Sequence, residues 1–337
     1  MSSQTVYIKA SEMSVMFETI LNREGFAADK SKMLADVFTQ NSMDGVTSHG
    51  VNRFKRFIEY TRNGIVDKNA EPVLTGKFNG MEQWNGQLGP GILNAQFAAD
   101  QSMKLAAEYG IGCVALSNTN HWMRGGTYGW QAAKKGFVFI GWTNTTGLMP
   151  AWGAVDARLG NNPLVIAVPF QHEAIVLDMA VSQFSNGALE LKAMNHESLS
   201  VDGGYDEQGE LTKDPSAILA SKRPVPVGYW KGVGLSLLLD LLAAMFSGGL
   251  SVHEITKKET EHSLSQVFIA IDLSKLPNQS SIPQLIENVI ADYKQSVPAN
   301  AEAKISYPGE RVLQEREKNL QNGIPVLENI WNEILNL

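Results

Sequence analysis

The chain has 337 residues, 44% of them hydrophobic and 19% charged, with 28 Lys and Arg against 35 Asp and Glu for a net charge of −7. That supports a large buried core, with two compact lobes expected from length, and the negative balance repels a phosphate backbone, which argues against nucleic acid as a partner. The single cysteine, Cys113, excludes an internal disulfide framework, and the absence of a charged leader or of ~18 consecutive apolar residues leads us to expect a cytoplasmic protein that does not enter a membrane.

At the N-terminus, Met13, Met16, Phe17, Ile20 and Leu21, then Met33, Leu34, Val37 and Phe38, recur at helical spacing, with Gly25 between two helices. A third helix is expected from Ser48 as its N-cap, through Val51, Phe54, Phe57 and Ile58, to a stop at Asn63-Gly64. The middle of the chain changes character, and short β-branched or aromatic runs predict strands over 72–78, 111–116, 137–143, 164–170 and 174–179. Cys113 lies in the second of these runs and reads as a small buried hydrophobe. Helices are expected over 91–108, closed by Gly110, and over 126–135, closed by Gly136. A later apolar helix over 234–246, with Leu235, Leu238, Leu239, Leu242 and Met245 on a wide face, is expected at the centre of the fold. Residues 265–273 return as a strand, and the pattern is helical again from Ser281, through Leu285, Val289 and Tyr293, to a last helix over 326–337. Helical ends around a mixed middle predict a helical lobe of 1–75 plus 280–337 and a mixed α/β domain over 76–279.

Several familiar motifs are missing. Gly110-Ile111-Gly112 and Gly232-Val233-Gly234 both lack the third glycine of a dinucleotide fingerprint, so a bound dinucleotide would need a fold other than the doubly wound one. There is no Walker lysine motif, GxSxG, HExxH or CxxC, and the six histidines have no metal-ligand spacing. The acid-rich loop over 201–209 has Glu207 where a calcium loop needs glycine, so it reads as a β-turn.

Two segments carry more. In TSHGVNRF (47–54), Ser48 as a cap would put His49 in the first helical turn and Arg53 four residues on, on the same face. A carbonyl reduction needs a proton for the developing alkoxide and a cation for the substrate acid; His49 can supply the first, and Arg53 can grip a carboxylate with two parallel N–H bonds. A capped surface helix with an ordinary histidine is the alternative, and on this octapeptide alone the commoner one. NTNHWMRGGTYGW (118–130) concentrates His121 and Arg124 at a strand end, where polar groups converge on ligands. Core packing would explain Trp122, Tyr128 and Trp130 but not His121 or Arg124.

Three weaker signals follow. Asp178 ends an apolar strand and needs either a partner, such as a histidine or a ligand hydroxyl, or a capping role. GYWKG (228–232) brings Lys231 to the N-terminal end of the apolar helix, where backbone amides can hold phosphate, and YPGER (307–311) opens a helix in the same way.

Taken in order, SHGVNRF (48–54), EQW (82–84), HWMRGG (121–126), YGWQAA (128–133), SVDGG (200–204), GYWKG (228–232), SQVFIAI (265–271) and PGE (308–310) resemble the type 2 malate/L-lactate dehydrogenase family. The resemblance covers nearly the whole chain, and the ordered set is far more specific than any one block. It implies a non-Rossmann α/β fold, a mixed sheet domain with a helical lobe formed by both termini. The implied activity is NADH-dependent reduction of a small keto acid, here a sugar-derived one. Malate, lactate, ureidoglycolate or a cyclic imino acid are the alternatives within the family, and a nonenzymatic nucleotide-binding relative is the alternative outside it. The resemblance further implies NAD as cofactor, with NADPH as the alternative to NADH, no metal, and a homodimer with the cofactor near the subunit interface. Carried over by position, His49 is the proton donor, with Ser48 and Asp178 as companions that orient or charge it. Arg53 is the candidate for the substrate carboxylate and His121 for the adjacent oxygens. The cofactor would lie along Ala174, Ile175, Val176, Leu177, Asp178, Met179 and Ala180, against Trp230 and Lys231, and against Gly309, Glu310 and Arg311. Because a helix N-terminus disfavours an imidazolium, Asp178 is expected close enough to His49 to restore its proton affinity.

Overall fold

The computed structural model describes residues 4–337. A seven-stranded sheet organises it, in the order Val73–Phe78, Met81–Asn85, Ile111–Thr119, Leu264–Asp272, Phe137–Thr143, Leu164–Phe170 and Glu173–Met179. All neighbours run antiparallel except Met81–Asn85 beside Ile111–Thr119. A parallel pair needs a crossover, and the helix Gly91–Tyr109 supplies it. The central strand Leu264–Asp272 arrives late in the chain and is buried on both faces, which explains why it reads as a nearly continuous apolar run. On one face Gly91–Tyr109 and Gly126–Lys134 enclose a core of Trp122, Tyr128, Phe139 and Phe268. On the other, the helix Trp230–Ser247 packs Leu239 and Ala243 against Trp142 and Val267. Cys113 is half-buried in its strand, and burial pushes its thiol up to about 11, out of the reactive range.

The helices Ala10–Arg23, Ala28–Met43 and Val51–Arg62 build a second core around Met13, Leu34, Phe38 and Ile58, with the rings of Phe17 and Phe54 stacked 4.0 Å apart. The chain end joins it. Thr5–Ile8 pairs antiparallel with Ile324–Leu327, and Trp331 and Ile334 of the helix Glu328–Leu335 sink into the same core. The expected last helix over 326–337 therefore begins as a strand. The helix Ile282–Lys294 contributes nothing to this core and lies beside Leu164–Phe170.

One expectation fails for a tertiary reason. The apolar helix is not central: Leu237, Leu238, Leu241 and Met245 are 45–67% exposed, leaving one whole face uncovered. It also has 18 residues with mean hydropathy 1.4, long and apolar enough by composition to cross a membrane, although its inner face is packed on the sheet. Strands such as Met81–Asn85 and helices such as Asn186–Met194 are too short or too evenly mixed to show a period.

Candidate active site

The TSHG segment does not start the third helix. Thr47–His49 forms a separate 3-10 turn, the backbone swings at Gly50, and the helix begins at Val51, whose N–H is accepted by Ser42 Oγ at 2.8 Å. The cap thus comes from Ser42, and Ser48 is free to meet His49, with Oγ 3.1 Å from Nδ1. Asn41 holds the turn from behind: its Nδ2 donates to the His49 carbonyl at 3.0 Å, and its Oδ1 accepts from Thr127 Oγ1 at 2.8 Å. Asn41 was missed in the sequence. The signal was there, since it falls on the core stripe that Leu34 and Phe38 mark, where a polar residue needs a reason.

The loop after Ile111–Thr119 brings His121 over His49, with ring centroids 5.6 Å apart and planes 16° from parallel. Met123 N–H donates to His121 Nδ1 at 3.0 Å, so the neutral ring carries its proton on Nε2 and can only donate from there. Burial, then the Arg53 cation, hold the proton affinity of His121 well below the ordinary imidazole range. Burial, then Arg53 and Arg124, lower that of His49 to about 4. The expected imidazolium is therefore not the resting state of His49, because the ring is buried and the charges nearest it are cations rather than carboxylates.

Asp178 does not reach His49 as expected. Its Oδ2 accepts from Gly126 N–H at 2.8 Å and lies 3.8 Å from Arg124 Nε, with the side chain 26% exposed. A Cβ on Gly126 would come 2.7 Å from that oxygen, so glycine is needed for the contact. Arg124 in turn pairs with Asp44, which also accepts from Arg316 Nε at 2.7 Å and from Gln40 Nε2 at 2.6 Å. This network ties together the helix ending at Met43, the 118–130 loop and the helix Glu310–Asn322, and it gives Arg124 a structural role. Trp122, Tyr128 and Trp130 are core aromatics.

Arg53 and Arg56 make no ion pair or side-chain hydrogen bond among the described residues. With Tyr60, Asn120, His121 and Glu261 they line a narrow cleft beside the two imidazoles. A larger cavity of about 330 Å³ lies between the Phe170 turn and the helix Ile282–Lys294 and contains none of the candidate residues.

Two of the expected cofactor segments meet at one sheet edge, and the chain that leads into the third pairs just beyond its end. Glu173–Met179 is the last strand, paired inward with Leu164–Phe170. Outward, Val176 N–H donates to Pro308 O at 3.1 Å, and strand alternation turns the backbone of Asp178 to the same open side. Gly309 presses onto this edge at φ +92°, where a Cβ would come 3.2 Å from both Val176 N and Trp130. At the other end Val227 N–H donates to Val181 O at 2.8 Å, which leads the chain into the exposed Trp230 and Lys231 at a helix start. Glu310 is already occupied by Lys294, 2.6 Å away, while Arg311 is exposed. Between the Pro308 and Val227 contacts the edge at Asp178 keeps main-chain groups on its outer side, and with Lys231, which makes no ion pair among the described residues, it suits a dinucleotide that takes main-chain bonds and carries a pyrophosphate.

A malate/L-lactate dehydrogenase family model matches residues 8–335. A 2,3-diketo-L-gulonate reductase of Klebsiella pneumoniae (strain 342) is 41% identical over 325 residues, which cover 96% of this chain and 98% of that protein. Among solved structures, a malate dehydrogenase from Entamoeba histolytica superposes with TM-score 0.93 at 21% identity, covering 99% of this chain and 97% of that one. A sulfolactate dehydrogenase from Methanocaldococcus jannaschii superposes with TM-score 0.90 at 26% identity, over 98% and 97% of the two chains. With a family model matched along almost its full length and a relative so similar end to end, the chain belongs to the malate/L-lactate dehydrogenase family.

Proposed function

We propose that this chain is a cytoplasmic, homodimeric NADH-dependent reductase that converts 2,3-diketo-L-gulonate to 3-keto-L-gulonate. The observation that carries the chemistry is the stacked His49 and His121 pair beside the unpaired Arg53. The substrate follows from the reductase relative. The nicotinamide, when bound, supplies the hydride to the ketone carbon. Arg53 receives the substrate carboxylate in a two-pronged contact, and His121 Nε2–H holds the ketone oxygen. Neutralising Arg53 removes one of the cations that hold His49 deprotonated, so arrival of the anionic substrate raises its proton affinity. His49 then protonates the oxygen, while Ser48 orients the ring and Asn41 holds the turn that carries it. Asp178 acts through Gly126 and Arg124 to hold the loop that carries His121.

Ala174 to Ala180, Trp230, Lys231 and the Gly309 to Arg311 turn would hold NADH, with Lys231 as the cation near the pyrophosphate. Lys231→Ala should weaken NADH binding, with a difference from the native protein that shrinks as salt rises. The homodimer reading is supported by the uncovered Leu237, Leu238, Leu241 and Met245, which a second copy would bury. Sedimentation at twice 36.9 kDa would agree with it, and a monomer at micromolar concentration would not.

The deciding experiment follows oxidation of NADH and NADPH with 2,3-diketo-L-gulonate, pyruvate, oxaloacetate and a cyclic imino acid. We expect the highest kcat/KM with diketogulonate and NADH. A higher value for another acid reassigns the substrate, and no turnover with any of them removes the enzyme reading.

A further inference from the structure

The cleft beside the histidines carries acceptors that reduction of a 2-keto acid does not need. Asn120 is 4% exposed and fixed through Nδ2, which donates to the carbonyls of Ile65, Leu88 and Gly89 at 3.1, 2.7 and 3.1 Å. Its Oδ1 is buried with no hydrogen-bond partner among the described residues. Glu261 lines the same cleft. Its Oε2 accepts Thr146 N–H at 2.9 Å, which leaves Oε1 for another donor. A buried acceptor without a donor is unfavourable, so a ligand that brings a hydroxyl gains what one without it cannot. The free space here is about 20 Å³, room for one hydroxyl or one water and not for a whole substrate.

Charge points the same way. Arg53 and Arg56 bring two positive charges to the cleft and Glu261 one negative, which leaves a surplus that one carboxylate balances. A second carboxylate on the substrate would meet Glu261. Pyruvate and oxaloacetate present the histidines with the same 2-keto acid end as a sugar-derived acid, so discrimination among them has to come from groups away from the reacting carbonyl.

We infer that Asn120 and Glu261 form a hydroxyl-recognising subsite that selects a monoanionic polyhydroxy keto acid over short or dianionic keto acids. The inference rests on the reductase reading above. Its test is kcat/KM for 2,3-diketo-L-gulonate, pyruvate and oxaloacetate in the native protein and in Glu261→Gln. The variant should lose about tenfold on diketogulonate, mainly through KM, stay within about twofold on pyruvate, and gain on oxaloacetate. An equal factor on all three substrates, or no loss on diketogulonate, overturns the subsite. A native protein inactive on every substrate removes the parent reading instead. Should Glu261→Gln fail to fold, calorimetry on the native protein compares L-gulonate with hexanoate. Binding of gulonate about tenfold tighter supports the subsite, and equal binding overturns it.

Discussion

Two polar clusters lie close together in this molecule and use the same residue types to opposite ends. In the first, Asp44 accepts from both Arg124 and Arg316, and Arg124 also approaches Asp178, so each buried charge has a counter-charge. In the second, Arg53 and Arg56 face Glu261 across a cleft without ion-pairing to it, and two imidazoles are held neutral by burial first and then by the Arg53 cation. A saturated network locks segments together and has nothing left to offer a ligand. An unsaturated one stores an unmet demand for an anion and a proton, which is what a keto-acid site requires.

The sharpest way to break the contrast is at His49. His49→Gln should lower kcat by about two to four powers of ten while NADH binding and the unfolding midpoint stay put. Reduction by the native protein should also fall as pH rises through the His49 pKa of the ternary complex, and stopped-flow NADH oxidation across pH reads both effects. Next is Asp44→Ala, which strands two arginines and should cost about 3–5 kcal/mol in urea unfolding. Arg53→Lys follows: charge is kept but the two-pronged geometry is lost, so kcat/KM should fall about tenfold with NADH affinity unchanged. An Arg53→Lys protein with full kcat/KM would return Arg53 to the surface-helix reading.

Smaller effects sharpen the boundary between the clusters. His49 has a folded pKa below its unfolded value, so the unfolded chain binds more protons and stability should decline as pH falls from about 6.5 towards about 4. Comparing urea midpoints at pH 7 and pH 5, His49→Gln should lose less than the native protein. Because Asp178 bonds Gly126 and approaches Arg124, Asp178→Asn should leave the His49 pH profile where it is. A shift of that profile to lower pH would restore Asp178 as a direct companion of His49.

The helical lobe was legible because Met13, Phe17, Leu34 and Phe38 repeat at a helical period that burial enforces. The main strands were legible where β-branched and aromatic residues run on between glycine stops, as at 137–143 and 164–170. Met81–Asn85 was not, because a five-residue strand paired on both sides shows no alternation. His49, Arg53 and His121 could be named as candidates because their motifs are ordered blocks. Glu261 and Asn120 carry no motif, since an acid in a loop and an asparagine at a strand end look ordinary until their partners are known.

The sequence by itself determined the periodic elements and the absence of a glycine-rich dinucleotide turn, and it singled out the segments proposed to supply a proton donor, a cation and a cofactor edge. These are properties of residue type and spacing within a few turns of chain. Only the tertiary structure decided that Ser42 rather than Ser48 caps the third helix, that Asp178 serves Arg124 rather than His49, and that the most apolar helix leaves a face open. The Asp178 contact depends on a partner 52 residues away in Gly126, the cap on a serine of the preceding helix folded back onto Val51, and the open face on what the rest of the fold leaves uncovered. Electrostatics and burial act through space, and local sequence does not encode which distant charge will stand beside a given ring.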